Sequence, residues 1–330
     1  MKKTFSCNLL AVAALLGAAA TSCAFAQAVG AAGYPLKPIT VVVPVAPGGT
    51  ADFLIRTLSQ RAAELLGQPV VMQHKPGASA VIASQAVAQA PADGYTVLLA
   101  YTSHAINIAA YPTLPYDTLK AFAPVSLLGK VPMVLVTGNA VPAKTVAELV
   151  EYGKSHPGSI TYGASGLGGA GHLGAELMAM MGGFPMTTVP YKGGSEAIVD
   201  LLAGRIAVMQ DSYSVFEQHI ASGSLRVLGV SSSGRQEFLP NVPAIAESIP
   251  GYEAVAWWGL LVPAATPREA VDRLSAAYAK AWQDPEIRSK LVKRGWEPAG
   301  STPAVFNDFI RSEISKWTTV VKKINFQAGK

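Results

Sequence analysis

The sequence predicts an α/β protein of two lobes with an interlobe ligand cleft, on three observations. β-rich runs alternate with amphipathic helical segments at tight spacing, the mark of open parallel sheets with helices on both faces. The alternation occurs twice, in stretches of similar size. Short apolar extended runs separate the two units and return from the second, as two chain crossings between lobes would.

In the first unit, Ile39-Thr40-Val41-Val42-Val43 is a continuous β-rich run, read as a buried parallel strand. Pro47-Gly48-Gly49-Thr50 turns the chain into a helix ending at Gly67, with Phe53, Leu54, Leu58, Ala62 and Leu65 on one side. Residues 70–72 form the next strand, 79–90 a helix, and Asp93-Gly94 turns into a strand over 95–100. Residues 124–128 and 133–136 are two short extended runs suited to the first crossing. The second unit alternates helices over 145–154, up to 181, 196–202 and 214–222 with strands over 160–162, 187–190, 206–210 and 225–230. Residues 257–262 form the return crossing, and Pro263 and Pro267 stiffen the join. The tail is helical; Thr302 caps its last helix with Pro303 at the first position, and Phe306, Phe309, Ile310, Ile314, Trp317 and Val321 mark its buried stripe.

The 330 residues are 50% hydrophobic and 14% charged, too apolar for a disordered chain. Lys2 and Lys3 precede an apolar run over 9–20, and Ala24-Phe25-Ala26 offers a cleavage site, so a secretory signal peptide is expected over 1–26. A short membrane anchor and lipidation at Cys23 are the alternatives for this segment. Both cysteines, Cys7 and Cys23, fall inside it, leaving a mature chain with no thiol. Removing the two lysines takes the formal charge from +5 to +3, a mild balance without the basic, aromatic-interleaved patch of a nucleic-acid binder. The expected division is 1–26 signal, 27–130 first part of lobe 1, 131–254 lobe 2, and 255–330 the return crossing and C-terminal helices, mostly of lobe 1.

Ligands of open α/β sheets bind at strand carboxyl ends, which directs attention to five loops. Pro47 to Asp52 is either an anion-binding turn, with helix amides pointing outward and the Thr50 hydroxyl beside them, or a plain strand–helix connection. Asp52 would repel an anion, so it is expected to accept loop or helix amides and hold the turn. The loop over 163–172 is the matching Gly-rich turn of the second unit, with Ser165 as a donor and His172 as either a carboxylate ligand or a satisfied structural residue. Thr102 and Ser103 follow the third strand of the first unit; Tyr191 follows a strand of the second and offers a ring to a ligand. Asp211 can accept from a ligand amine or a loop amide. Of Trp257 and Trp258, alternation puts one at the cleft and the other in a core. No metal-ligand cluster, phosphate loop or dinucleotide fingerprint is present, so no cofactor is expected. Ala164-Ser165-Gly166 lacks the flanking pattern of a nucleophile elbow. An exported hydrolase using Ser165 stands as the rival class, and a protein-interaction module as a third.

The landmarks Tyr34-Pro35-Leu36-Lys37-Pro38-Ile39, Pro47-Gly48-Gly49-Thr50-Ala51-Asp52, Lys75-Pro76-Gly77-Ala78, Pro91-Ala92-Asp93-Gly94-Tyr95-Thr96 and Leu114-Pro115-Tyr116-Asp117 occur in order, followed by His172-Leu173, Val189-Pro190-Tyr191-Lys192-Gly193, Arg226-Val227-Leu228-Gly229-Val230 and Trp258-Gly259-Leu260. In these the chain resembles the periplasmic solute receptors of tripartite tricarboxylate transporters, the Bug family. The resemblance implies a two-lobed periplasmic binding protein, type II-like, that captures a small organic carboxylate and docks on a membrane permease; a receptor presenting its ligand to a sensor is the variant. It implies no enzymatic activity, a periplasmic location and, as the simplest state, a monomer. Gly49, Thr50, Ala51 and Asp52 would serve the ligand from lobe 1, and Ser165, Gly166 and Asp211 from lobe 2; Thr102, Ser103, His172, Tyr191 and Trp257 complete the candidate ligand-binding set. The chain departs from the family pattern at Ser79, Ala80 and Ala83, where glycines are usual, and at Gln210, where an aromatic residue is frequent. The last departure predicts a polar cleft edge and a shift toward aromatic acids in Gln210→Phe.

Overall fold

β1 (Ile39–Val43) is buried at every position but Thr40, so it must be flanked on both sides. β2 (Val70–His74) and β3 (Thr96–Tyr101) pair with it in parallel. The computed structural model describes residues 33–138, 141–191 and 193–328; the expected signal segment, with Cys7 and Cys23, lies outside them, as does Lys192. α1 (Thr50–Leu66) ends where Gly67 turns left-handed and donates its N–H to the Ala63 carbonyl. The helix expected over 79–90 is shorter: α2 (Val81–Ala88) follows a 3-10 turn in which Ala78, Ser79 and Ala80 have φ of 45°, 49° and 75°. Left-handed backbone at such residues costs roughly 1–2 kcal/mol each. The turn is held by Asn107, whose Nδ2 donates to the Ser79 carbonyl at 2.8 Å, and by burial of Ala80.

α3 (Ser103–Ala110) leads to β4 (Phe122–Thr137), a single 16-residue strand where two short runs are expected from sequence. Register shifts at 124–126 and 127–129 absorb Pro124, and Pro132 stays in register opposite Val255. The strand's first half pairs with β9 (Val255–Pro263) and β10 (Glu297–Pro298), its second half with β7 (Val208–Ser212) and β8 (Arg226–Val230), all antiparallel. β5 (Thr161–Ala164) joins β6 (Thr187–Pro190) and β7 in parallel. The order β2-β1-β3-β9-β4-β7-β5-β6 thus holds two parallel sets bridged by β9 and β4. β3 ends opposite Trp258, which faces Gly129, and β7 ends opposite Met133. The carboxyl ends of both sets therefore converge on the 129–133 stretch of β4, and the loops that follow them meet there.

The helices of the second set are α4 (Val146–Ser155), α5 (Ala170–Gly182), α6 (Gly194–Leu202) and α7 (Tyr213–Ala221). α8 (Arg268–Gln283), α9 (Pro285–Val292) and α10 (Pro303–Lys323) close the chain; Thr302 caps α10 by accepting the Val305 N–H at 3.4 Å, with Pro303 in the first turn. Strand alternation separates the cores. Val41 and Val43 pack with α1, α8 and Trp296, whereas Val42 packs with the side holding α3, α5 and α10. α10 lies so close to the return crossing that a Cβ at Gly259 would overlap the Phe306 ring. It is tied there through Glu313, whose Oε2 accepts the indole N–H of Trp257 at 2.9 Å and of Trp317 at 2.8 Å.

Candidate cleft

A cavity of ≈ 600 Å³ lies where the strand-end loops meet. Val131 and Pro132 of the crossing strand, Gly48 and Gly49 before α1 with Thr50 and Phe53 on it, and Ser212 at the end of β7 with Tyr213, Ser214 and Glu217 of α7 line it. Phe238, from the loop after β8, and residues 293–296, after α9, complete the lining.

The chemistry of the α1 side follows from its glycines. Gly48 sits at φ 95°, where a side chain would be strained, and Gly49 is the N-cap residue. Having no side chain, Gly49 cannot cap, so the Thr50, Ala51 and Asp52 amides keep their free donor capacity, with the positive helix end behind them. Thr50 is exposed; Ala51 and Asp52 are buried and contribute only backbone. Asp52 holds the turn as expected: its carboxylate accepts the Gly48 N–H at 3.1 Å, pairs with Arg56 at 2.9 Å, and has His74 Nε2 at 3.2 Å. Burial alone would raise the Asp52 pKa. The Arg56 and Gly48 hydrogen bonds and the fields of Arg56 and His74 outweigh it and hold the carboxyl below the usual range. α7 repeats the arrangement from the other parallel set, since its N-cap Ser212 makes no side-chain cap. Two uncapped helix starts therefore flank one cavity.

The remaining candidates separate into two groups. Ser165 and Asp211, 46 residues apart in sequence, are brought together: Ser165 Oγ donates to Asp211 Oδ2 at 2.7 Å, and Asp211 Oδ1 accepts the Ser212 N–H at 2.7 Å. Asp211 directly precedes Ser212 of the cavity lining, and Gly166, which follows Ser165, is exposed. The others are engaged elsewhere. Thr102 is buried and accepts the Trp257 backbone N–H at 3.0 Å, pinning β3 to the return crossing, and Ser103 is half-buried in the first turn of α3. His172 is buried; its Nδ1 accepts the Gly168 N–H at 3.1 Å and its ring meets Phe326 edge-on, so it braces the Gly-rich loop against the C-terminal segment. Tyr191 gives its hydroxyl to Asp200 at 2.7 Å on the same set's α6 and does not line the cavity. Trp257 is fully buried, because its indole N–H finds Glu313 in the core; the alternate residue, Trp258, packs at 4.7 Å on Trp296, which does line the cavity.

Gln210 also requires correction. It is 1% exposed, its Oε1 accepts the Tyr252 hydroxyl at 3.1 Å, and its amide lies 2.6 Å from where a Cβ at Gly174 would be. It is a core residue and not a cleft edge. Gln210→Phe is now expected to lower stability by about 1–3 kcal/mol through overpacking and to leave the ligand preference unaltered. Urea unfolding beside a ligand titration checks both; full stability with an altered preference would contradict the placement.

Sequence reasoning missed Tyr213, Phe238, Lys293, Arg294 and Trp296, and it placed Phe53 only on a packing face. Arg294 stacks on Phe53 at 3.8 Å, a pair 241 positions apart with no local signal. Among the described residues no group of three or more metal-ligating side chains gathers, and no helix is long and apolar enough to cross a membrane.

Two parallel sets joined by two crossing strands, with helix starts turned into the gap between them, define a two-lobed solute-binding protein. Residues 54–326 match the family described as the tripartite tricarboxylate transporter family receptor, TctC, and the chain belongs to that family. It is 34% identical over 96% of its length to Protein BugT of Bordetella pertussis, covering 98% of that protein. It superposes on Rpa4515 of R. palustris, solved with adipate, with a TM-score of 0.72, 36% identity and coverage of 88% and 98% of the two chains. For MatC of Rhodopseudomonas palustris with bound malate, the values are 0.70, 30%, 87% and 100%. The chain is accordingly a solute-binding receptor and not an enzyme. Ser165 bonds the Asp211 carboxylate and His172 accepts a loop amide, so these residues form no Ser–His pair.

Proposed function

We propose that this protein captures a small organic carboxylate in the ≈ 600 Å³ cleft and presents it to the membrane permease of a tripartite tricarboxylate-type transporter. The carrying observation is the pair of uncapped helix starts, one from each parallel set, on a single cavity. Free N–H groups at a helix start replace the water lost by a carboxylate, and the helix field favours its charge. The adipate and malate held by the two R. palustris proteins support the same ligand chemistry here. Capture needs no bond-making: the two lobes, 27–130 with 255–330 and 131–254, swing about the crossing strands β4 and β9 to enclose the ligand. The protein acts in the periplasm as a monomer after its first 26 residues are removed.

Thermal unfolding of the mature protein with adipate, malate and their amides tests this reading. A ligand that binds only the folded state at about 100 times its Kd adds roughly 2.7 kcal/mol. The acids are expected to raise the midpoint dose-dependently and the amides to leave it in place. Equal shifts with acid and amide would remove the helix-start mechanism. No shift with any carboxylate would remove carboxylate capture.

A further inference from the structure

We propose that residues 324–328, the segment after α10, are an interlobe strap. The segment is anchored on the first parallel set, rests on the Gly-rich loop of the second, and restrains rotation of one set against the other. This goes beyond carboxylate capture and takes from that reading only the hinge about β4 and β9.

The strap is stiff for local reasons. α10 ends in a turn in which Asn325 takes φ 52°, a left-handed conformation that asparagine tolerates better than most residues with a side chain. The Asn325 N–H donates to the Lys322 carbonyl at 3.3 Å and the Phe326 N–H to the Val321 carbonyl at 3.0 Å. These two bonds close a helix C-terminus around a left-handed residue, and they fix the direction in which the Phe326 ring leaves the helix. Two residues on, the Ala328 N–H donates to the Ala110 carbonyl at 2.9 Å, at the end of α3, which follows β3 of the first set.

The ring itself reaches the second set. A Cβ at Gly168 would lie 2.6 Å from Phe326 Cζ, so the ring rests directly on the loop backbone, which turns there at φ 74°. His172, whose Nδ1 holds the Gly168 N–H, meets the same ring edge-on at 5.9 Å. This loop follows β5 and carries Ser165, which bonds Asp211 beside the cleft lining. A second cavity of ≈ 590 Å³, between Leu167, His172, Glu176 and Thr188 on one side and residues 324–327 on the other, gives the ring room to leave its seat. Ring-on-backbone and ring-on-ring contacts separate without stranding a buried donor, whereas the hydrogen bonds to α10 and α3 keep the strap in place. A rotation about β4 and β9 therefore lifts the loop off Phe326, and the strap sets how freely the two sets move when no ligand is bound.

Pulsed electron paramagnetic resonance of the mature protein tests this. Cys7 and Cys23 fall in the expected signal segment, so Val71→Cys on β2 and Val199→Cys on α6, both exposed, take one spin label on each set. Without ligand, Phe326→Ala is expected to broaden the distance distribution about twofold, as a hinge freed of one restraint samples more rotations. Asn325→Val keeps the ring but forces a β-branched residue into the left-handed turn, and should broaden it equally; Asn325→Gly suits φ 52° and should leave it narrow. Both positions are at least partly exposed, and thermal midpoints near the parent's verify folding. Either Phe326→Ala or Asn325→Val leaving the width as in the parent would overturn the strap, and a parent distribution that still shifts with adipate or malate would then leave the hinge standing. Broadening in both variants, with a parent that ignores both acids, would support the strap and count against ligand-driven closure.

Discussion

Glu313→Ala is expected to lower the stability of the protein by about 3–5 kcal/mol, the cost of breaking a buried, hydrogen-bonded charge network. Glu313 is 3% exposed on α10, and one of its oxygens accepts two indole N–H groups, from Trp257 at 2.9 Å and Trp317 at 2.8 Å. The other oxygen pairs with Lys316. Removing the carboxylate strands two buried donors and leaves a cavity beside two large rings, so the losses compound. The consequence reaches the site because Trp257 belongs to the return crossing and its backbone N–H also bonds Thr102. Glu313→Gln keeps an oxygen for the indoles and loses only the lysine pairing, so about half the cost or less is expected. Urea unfolding of both variants is the check; an alanine variant within about 1 kcal/mol of the parent would show that the network contributes no net stability.

The second large effect is expected at Asp52. Asp52→Ala frees the Gly48 amide, Arg56 and His74 together. Hydrogen bonds to charged groups contribute about 1.5–3 kcal/mol; Arg56 is 55% exposed, which lowers its share. A loss of about 2–3 kcal/mol follows, with ligand affinity falling on the order of tenfold because the turn that aims the Thr50 amide loses its anchor. The acid limb carries a signature. The native pKa lies below its ordinary value, so the unfolded chain takes up the proton first as pH falls. The stabilisation is complete above about pH 4, the unfolded value, and is lost as pH drops through the lowered native pKa. Asp52→Asn should therefore show a shallower decline than the parent below pH ~4. Parallel acid limbs would mean that the carboxylate is not specifically stabilised.

Much of this molecule was legible in local pattern. Val41, Val42 and Val43 announce a strand buried on both faces, and the Gly67, Thr302 and Pro303 punctuation acts over one helical turn. Asp52 was readable for the same reason: a carboxylate four residues after an amide has little else to hold. The turn at Gly48 and Gly49 was readable as a tight strand-to-helix connection, while its two readings, anion-binding turn or plain connection, stayed open in the sequence. β4 was read as two short runs, since the pairing with β9 that carries the strand through residues 129–132 is not a local feature.

What tertiary structure alone decided lies in pairs far apart in sequence. Alternation requires Trp257 and Trp258 to face opposite ways; only Glu313, 56 residues on, determines that Trp257 is the buried one. Ser165 meets Asp211, Arg294 meets Phe53 and Phe238 meets Gly295 because the crossing strands bring distant loops to one place. The sequence by itself determined the two α/β units, the caps and the tight turns between strand and helix, because those obey forces that act within a few residues. The side chains that give the cleft its rings and its cations were decided by the fold, because which long-range surfaces meet depends on packing the whole chain at once.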